Sequence, residues 1–441
     1  MRFLGLATVV SLGLASCQSF VEDINIDPNN FTDISNSLIT NHAVLNLATI
    51  SEAETARIAG MWTDQFTGSD RQYITQDNYG VGDSDFDAIW GDIYRGGLTQ
   101  AQIAADKARE LGSESLLGVA EILQGHYAAE AALLFGDVPF TQANKAAEFA
   151  DPVYEPQRDV LMAAIALIEG GIAKTDLKVT DANSVLSSSS TWDQFGNALI
   201  ARYKLAMRDY AGALAAAQAA NFSSASNSVD IIHSTTNFAE NSYYQFEAEQ
   251  RTDYLTFDNS YLINLIAPDS TDTYRGDDKT DDSNRVAYYA DNSSDFIRLN
   301  TNPNGLFAAA QNWPVIGYPE VQLIIAESAA RTGDTDTAIE ALNNARNYWD
   351  GVMGTDDYQD YDEDDFGDDD SLLKTILTEK FVSVFGVPTF YDIVRTNNLI
   401  GTDLDGRTTP AQRFLYPSTE RSSNANYPGL KELDTPTPIN G

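Results

Sequence analysis

The stretch YPEVQLIIAESAARTGDTDTAIEALNNARNYWD, residues 318–350, limits what the rest of the chain can fold into. Apolar and small side chains recur at helical spacing in Val321, Ile324, Ile325 and Ser328, then in Ala338, Ala341, Leu342 and Ala345, with Gly333-Asp334 between the runs. A 3.6-residue period on both sides of a Gly-Asp break predicts two short helices folded back on each other. Ala326 and Ala345 stand where the two helices should cross, and small residues there let the backbones approach closely. One such hairpin cannot bury its own apolar face, so it requires neighbours of the same kind.

The register is that of a tetratricopeptide hairpin, with Ala326, Gly333, Ala338, Leu342 and Ala345 in the places the pattern assigns to small and apolar residues. Gln322 and Ala329 occupy its aromatic positions, so the match is partial. Residues 192–210 and 211–222 repeat the spacing through Ala201, Ala213, Ala217 and Ala220. Further helices are predicted over residues 34–61, 86–111, 114–135, 158–173 and 372–385, and in the run carrying Tyr391, Val394 and Arg395. Gly136 and Pro139 stop the helix that ends at Phe135. Between residues 221 and 313 the period is lost, and residues 243–246, 254–257 and 285–289 read as short strand-like pieces. The expectation is a mostly α fold in which tetratricopeptide-like helical hairpins form a scaffold over about 34–222 and 314–400. A variable, irregular, loop-rich lobe with a few short strands, about 223–313, is inserted into it, all within a single domain spanning 34–441.

A chain of 441 residues with 43% hydrophobic content can bury a large core, which argues against wholesale disorder. Its formal charge of −38 repels nucleic acid and anionic lipid. At the N-terminus Arg2 precedes an apolar run from Phe3 to Ala15, too short for the roughly 20 residues of a membrane span and suited to a signal peptide over residues 1–16. Leu14-Ala15-Ser16-Cys17 is similar to a bacterial lipobox, which makes Cys17, the only cysteine, a candidate for lipidation and leaves no disulfide. Residues 17–33, rich in Asn, Asp and Pro, read as a lipidated tether.

Two stretches carry rings outside any helical period. Residues 62–84 hold Trp62, Phe66, Tyr73 and Tyr79 among small polar residues, and the second group comprises Tyr288, Tyr289 and Trp313. Sugars present C–H faces ringed by hydroxyls, so a glycan site needs flat rings for stacking beside hydrogen-bonding side chains. Candidate ligand-binding residues are therefore Trp62, Arg71, Tyr73, Asn78, Tyr79, Tyr288, Tyr289 and Trp313, with Gln76 and Asn312 as polar neighbours. Trp90, Trp192 and Trp349 lie on helical faces and are expected in the core. His126, alone on an apolar helix, reads as a satisfied core histidine, with no second His or Cys at metal-ligand spacing. The acidic run 356–371 fails the calcium-loop pattern, since Phe366 and Leu373 would fall on its fifth and twelfth places. No cofactor and no catalytic residue is predicted: Gly-x-Ser-x-Gly is absent, and no motif selects a carboxylate pair of the kind a glycoside hydrolase uses.

In order along the chain, the lipobox start, FGDVPF with NALIARYKLAMR, YPEVQLIIAESAARTG, ILTEKFVSVFGVPTFYDIVRT and YPSTERSSNANYPG resemble the SusD/RagB family. Val394-Arg395 stands where that family often has paired arginines, and EKFVSVFGV departs from its more usual run of glutamate, arginine and glycine. Glu22-Asp23 resembles the acidic export tag of Bacteroidetes surface lipoproteins. The resemblance implies a non-enzymatic, lipid-anchored protein on the outer face of the outer membrane. Such a protein binds glycan, or in some branches peptide as RagB-like proteins do, and works with a SusC-like TonB-dependent transporter. A secreted acidic glycoside hydrolase is the alternative of a different class.

Overall fold

The computed structural model describes residues 36–441 except 271–272. The expected signal peptide, Cys17 and the tether to residue 33 lie outside the described residues. Eleven helices of nine or more residues carry the described fold: α1 Asn36–Leu45, α2 Glu54–Trp62, α3 Thr99–Glu110, α4 Glu114–Phe135, α5 Gln157–Ile172, α6 Trp192–Ala206, α7 Tyr210–Ala220, α8 Tyr318–Thr332, α9 Thr335–Met353, α10 Asp369–Ser383 and α11 Val387–Arg395. Each of α4 to α8 packs on the next, and α9 and α10 both pack on α8. The result is a continuous stack of antiparallel hairpins, in keeping with the tetratricopeptide-like reading.

Local chemistry explains why these elements start, stop and meet where they do. At the α4–α5 crossing, a Cβ on Gly118 would stand 2.5 Å from the carbonyl oxygen of Gly171, and one on Gly171 2.5 Å from that of Gly118. Only glycine fits so close an approach of two backbones. Thr191 opens α6 with a capping box, its backbone N–H donating to the Gln194 side chain at 3.1 Å. Gly333 closes α8 at φ +82°, and Asp334 caps α9 by accepting from the Thr337 N–H.

Leu323, Ala326, Ala329, Ala338, Leu342 and Ala345 form a buried seam between α8 and α9, extended by Leu372 and Ile376 of α10. Gln322, at a position where the tetratricopeptide pattern wants an aromatic ring, instead donates to the Phe222 carbonyl at 3.0 Å and accepts from Asn344 at 3.2 Å. A polar side chain thus ties α8 both to the end of the preceding hairpin and to α9. Ala326 is fully buried, so Ala326→Leu is expected to force methylenes into the seam and lower stability by about 1–3 kcal/mol, read as a shift of the urea midpoint at unchanged m-value.

The strands are short and lie in two antiparallel sheets: β1 Thr67–Gly68, β4 Leu255–Thr256, β6 Arg298–Leu299 and β5 Ala290–Asp291 form one, in that order, and β2 Leu186–Ser187, β3 Val229–Ile231 and β7 Trp313–Ile316 the other. Both sheets pair strands of the inserted stretch with strands from the first half of the chain.

Of the strand-like pieces expected there, 254–257 contains β4, but the other two are helical: Ser242–Tyr244 runs into a wide turn Gln245–Gln250, and Ser283–Tyr289 is a helix. The tyrosines suggested strands; capping and i,i+4 pairing decide otherwise. Asn241 accepts from the Tyr243 N–H at 2.9 Å, and the Arg285 guanidinium donates to the Tyr289 hydroxyl at 3.0 Å, both residues of that pair being fully buried. The ring-rich stretch 62–84 is also more ordered than its composition suggests, holding the end of α2, β1 and a short helix Gln72–Asp77.

Candidate functional site

A cavity of about 340 Å³ opens between the β3–β7 pair, the C-terminal end of α9, the helix Ser283–Tyr289 and the α10–α11 turn. Its rim carries the exposed residues Ala310, Pro314 and Val352. Val229 and Ile231 are buried in the core, so strand alternation turns Asp230 to the other face of β3, where it lines the cavity. The α9 helix brings Tyr348 and Trp349, the Ser283–Tyr289 helix brings Tyr288, and β7 with its preceding loop brings Asn312 and Trp313.

The floor is a closed ionic network. Arg202 of α6 clamps Glu320 of α8 with two hydrogen bonds, 2.7 and 2.8 Å, and donates a third, 2.6 Å, to the Val315 carbonyl. Burial works against the guanidinium's charge, but Glu320 and Glu130 outweigh it and raise its pKa. Glu130 accepts from the hydroxyls of Tyr203 and Tyr391, at 3.1 and 2.5 Å, and its pKa is raised chiefly by burial. His126 shares a hydrogen bond with Tyr203, and burial, then the neighbouring Arg202, push it down to about 3, so the imidazole is neutral. These floor groups are mutually satisfied.

The walls differ. Among the described residues, the Asp230 carboxylate, the Tyr288 and Tyr348 hydroxyls and the Asn312 amide nitrogen line the cavity without a protein hydrogen-bond partner. Asn312 uses only its oxygen, accepting from the His233 N–H at 3.0 Å. Burial alone pushes the Asp230 carboxyl up to about 7. Half-buried rings with a few convergent, unpaired polar groups are the arrangement of a small-molecule site, and the volume falls at the lower end of the roughly 300–1,000 Å³ such sites occupy.

Of the residues singled out from sequence, Tyr288, Trp313 and Asn312 meet at this cavity. Trp313 is only 3% exposed and donates its indole N–H to the Ser51 carbonyl at 2.9 Å, so it is as much wall as contact. Tyr289 is fully buried, with its hydroxyl donating to the Val382 carbonyl at 2.9 Å. The first group lies elsewhere. Trp62 and Tyr73, expected on an open loop, are core residues at 1% and 3% exposure; the Trp62 indole donates to the Gln76 carbonyl, and the Tyr73 hydroxyl accepts from Arg57. Gln76 is buried beneath them. Tyr79 is half-buried against Trp62 with Arg407 over its ring at 4.7 Å, while Arg71 and Asn78 are exposed beside this cluster rather than at the cavity. The sequence reading missed Asp230 and Tyr348. For Asp230 a signal exists: a lone carboxylate between two apolar residues of a strand.

Several carboxylates of the acidic run 356–371 have protein partners. Asp362 accepts from the Asp364 N–H, Asp365 pairs with Lys279 at 2.5 Å, and Asp368 caps α10.

A helical stack with a ring-walled cavity where an inserted segment meets it has the shape to hold a small ligand. The family described as SusD-like_2, starch-binding associating with outer membrane, matches residues 28–389. The chain belongs to this SusD-like family. No curated protein matches it. Among solved structures, a SusD/RagB family protein from Bacteroides thetaiotaomicron is 20% identical, with TM-score 0.63 over 89% of this chain and 95% of that one. A chitin-binding SusD homologue from Flavobacterium johnsoniae is 14% identical, with TM-score 0.60 over 88% and 92%. Another SusD-like protein from Bacteroides thetaiotaomicron reaches TM-score 0.66 at 14% identity, over 88% and 93%. At these identities the likeness is one of fold. No helix among the described residues is long and apolar enough to cross a membrane.

Proposed function

We propose that the protein is a cell-surface glycan-binding lipoprotein, held in the outer membrane through lipid on Cys17, which captures oligosaccharide or polysaccharide and passes it to a SusC-like TonB-dependent transporter. The observation that carries the binding role is the cavity in which Tyr288, Tyr348 and Trp313 stand around unpaired Asp230 and Asn312 groups. Rings offer stacking faces to the C–H faces of a sugar, and the unpaired groups meet its hydroxyls. Membership of a family described as starch-binding and outer-membrane associated supports the ligand class and the location, and a chitin-binding protein among the structural neighbours is in keeping with them.

The protein acts as a binder and not as a hydrolase. Hydrolysis needs two available carboxylates, whereas Glu320 is clamped by Arg202 and Glu130 is held by two tyrosine hydroxyls. Affinity electrophoresis of the purified protein against a panel of neutral and acidic polysaccharides, with the products checked for new reducing ends, tests this reading. Retention without cleavage is expected; cleavage would make the protein a hydrolase, and preferential binding of peptides would make it RagB-like.

Tyr288 is the ring to remove, because it is half-buried and its hydroxyl has no partner among the described residues. Tyr288→Ala is expected to weaken glycan binding by about 0.5–1.5 kcal/mol beyond the area lost, while the thermal melt stays within a few degrees of the parent. Normal retention of the panel by this variant would move the site away from the cavity.

A further inference from the structure

The charges of the cavity ask for something more specific than a sugar hydroxyl. Every cationic side chain at its wall or floor is already paired: Arg202 is spent on Glu320 and the Val315 carbonyl, and among the described residues no other Lys or Arg lines the space. His126 is neutral. Among the described residues that line the cavity, the only unpaired ionisable group other than a phenol is Asp230, set on a strand between the buried Val229 and Ile231, with Tyr288, Tyr348 and Trp313 lining the same cavity. Aromatic faces carry negative potential and attract cations. A carboxylate removed from water gains most from a partner of opposite charge. Asp230 and the rings bias the cavity towards a cation, and the chain's net charge of −38 adds a field of the same sign.

We propose that the cavity takes a sugar ring bearing a protonated primary amine, an amino-sugar residue whose ammonium group pairs with Asp230 while its ring packs against Tyr288 and Tyr348 and a hydroxyl meets Asn312. The proposal rests on the cavity being the glycan site. Three features of the ligand match three features of the cavity: charge to Asp230, C–H face to the phenol rings, and hydroxyls to the unpaired amide and phenol groups. A neutral N-acetyl sugar would leave Asp230 facing an amide methyl or a weak donor. An acidic sugar would place a second negative charge beside it.

The test is calorimetric titration of the purified protein at about pH 7, where an amine of the α-amino kind is still largely charged and Asp230, raised by burial to about 7, can ionise beside it, with three probes: a glucosamine tetramer, the matching N-acetylglucosamine tetramer, and tri-lysine. The two sugars share a backbone and differ in the amine alone. The glucosamine tetramer is expected to bind at least about tenfold more tightly than its N-acetylated counterpart, the factor a charge-assisted hydrogen bond supplies. Asp230→Asn is expected to abolish that preference, bringing the two tetramers to similar affinities; Asp230 holds no protein hydrogen bond among the described residues, so the variant should melt with the parent. Equal or weaker binding of the glucosamine tetramer by the parent protein overturns the proposal whatever the variant does, as does a preference that survives Asp230→Asn. Tighter binding of tri-lysine than of the glucosamine tetramer overturns it in favour of a peptide amine. If neither tetramer binds, the amino-sugar proposal falls; retention of other polysaccharides in electrophoresis would then leave the glycan reading standing, and no retention at all would remove both.

Discussion

Replacing Glu379 with alanine is expected to lower the stability of the fold by about 3–5 kcal/mol, the penalty for leaving buried charges without their partner. Its carboxylate, 1% exposed on α10, accepts from Arg275 at 2.8 Å, from Arg285 at 2.9 Å and from Ser383 at 2.8 Å. Arg285 is fully buried, and its other carboxylate neighbour, Asp282, is 3.9 Å away. Truncation therefore leaves a guanidinium in the interior with phenol and serine hydroxyls for company. Burial alone would raise the Glu379 pKa, but Arg275 and Arg285 outweigh it and hold the group well below the ordinary range. A group depressed in the folded state contributes stability above its unfolded pKa of 4.5 and loses it as the pH falls through the folded value. Glu327 of α8 follows the same sign: Arg395 holds it at about 2 against burial, so its contribution disappears between 4.5 and about 2. Urea midpoints at neutral pH and on the acid limb check both statements. Glu379→Ala should melt early at pH 7 and show a shallower loss on acidification; an unchanged midpoint would mean that the two arginines are solvated rather than buried.

Trp62→Ala is the second large effect, expected to cost about 3–5 kcal/mol by opening a cavity in a ring cluster. Phe86, Phe390 and Phe414 stand with centroids 6.1, 6.2 and 5.2 Å from the indole, and Tyr79 at 5.5 Å. The orphaned Gln76 carbonyl, which accepts from the indole nitrogen at 2.9 Å, adds to the loss. At temperatures where the variant remains folded, its glycan affinity should equal the parent's, because Trp62 is not at the cavity. Reduced binding by a fully folded Trp62→Ala protein would place a ligand site at the first ring group after all.

The contrast between Trp62 and Tyr288 marks where sequence legibility ends. Helical hairpins write their fold locally: the Ala326, Leu342 and Ala345 spacing and the Gly333-Asp334 break all lie within one hairpin, and the structure finds them as read, with Asp334 serving as the cap of α9. The fate of a ring at the end of a helix is decided elsewhere. Trp62 looked like a loop residue because Gly, Ser and Thr follow it, yet its packing partners Phe390 and Phe414 come from the other end of the chain. The cavity suffers from the same distance, since Ser51, Asp230, Tyr288, Trp313 and Tyr348 reach it from five separate elements or loops. Chemistry of residue type pointed to Tyr288, Asn312 and Trp313; what it lacked was the strand that turns Asp230 towards them. The tyrosines of 243–246 and 285–289 misled for the opposite reason, local propensity yielding to caps and to the Arg285–Tyr289 pair.

The inserted stretch has a consequence for how such a protein can change over generations. Helices α7 and α8 pack on each other directly although residues 221–317 separate them, and the segment departs along β3 and returns along β7, which are hydrogen-bonded antiparallel neighbours. Its two ends therefore meet, within the roughly 5 Å of adjacent strands. A segment closed at its neck can lengthen or shorten in its loops at a loop-closure cost that grows only as the logarithm of its length, as long as Arg275 and Arg285 keep Glu379 paired and β4 stays on β1. Tyr288 belongs to the inserted part, Asp230 and Trp313 to the neck, and Tyr348 and Arg202 to the helices. The loops of this segment can thus vary around fixed contacts, changing one wall of the cavity at a time while the stack stays constant.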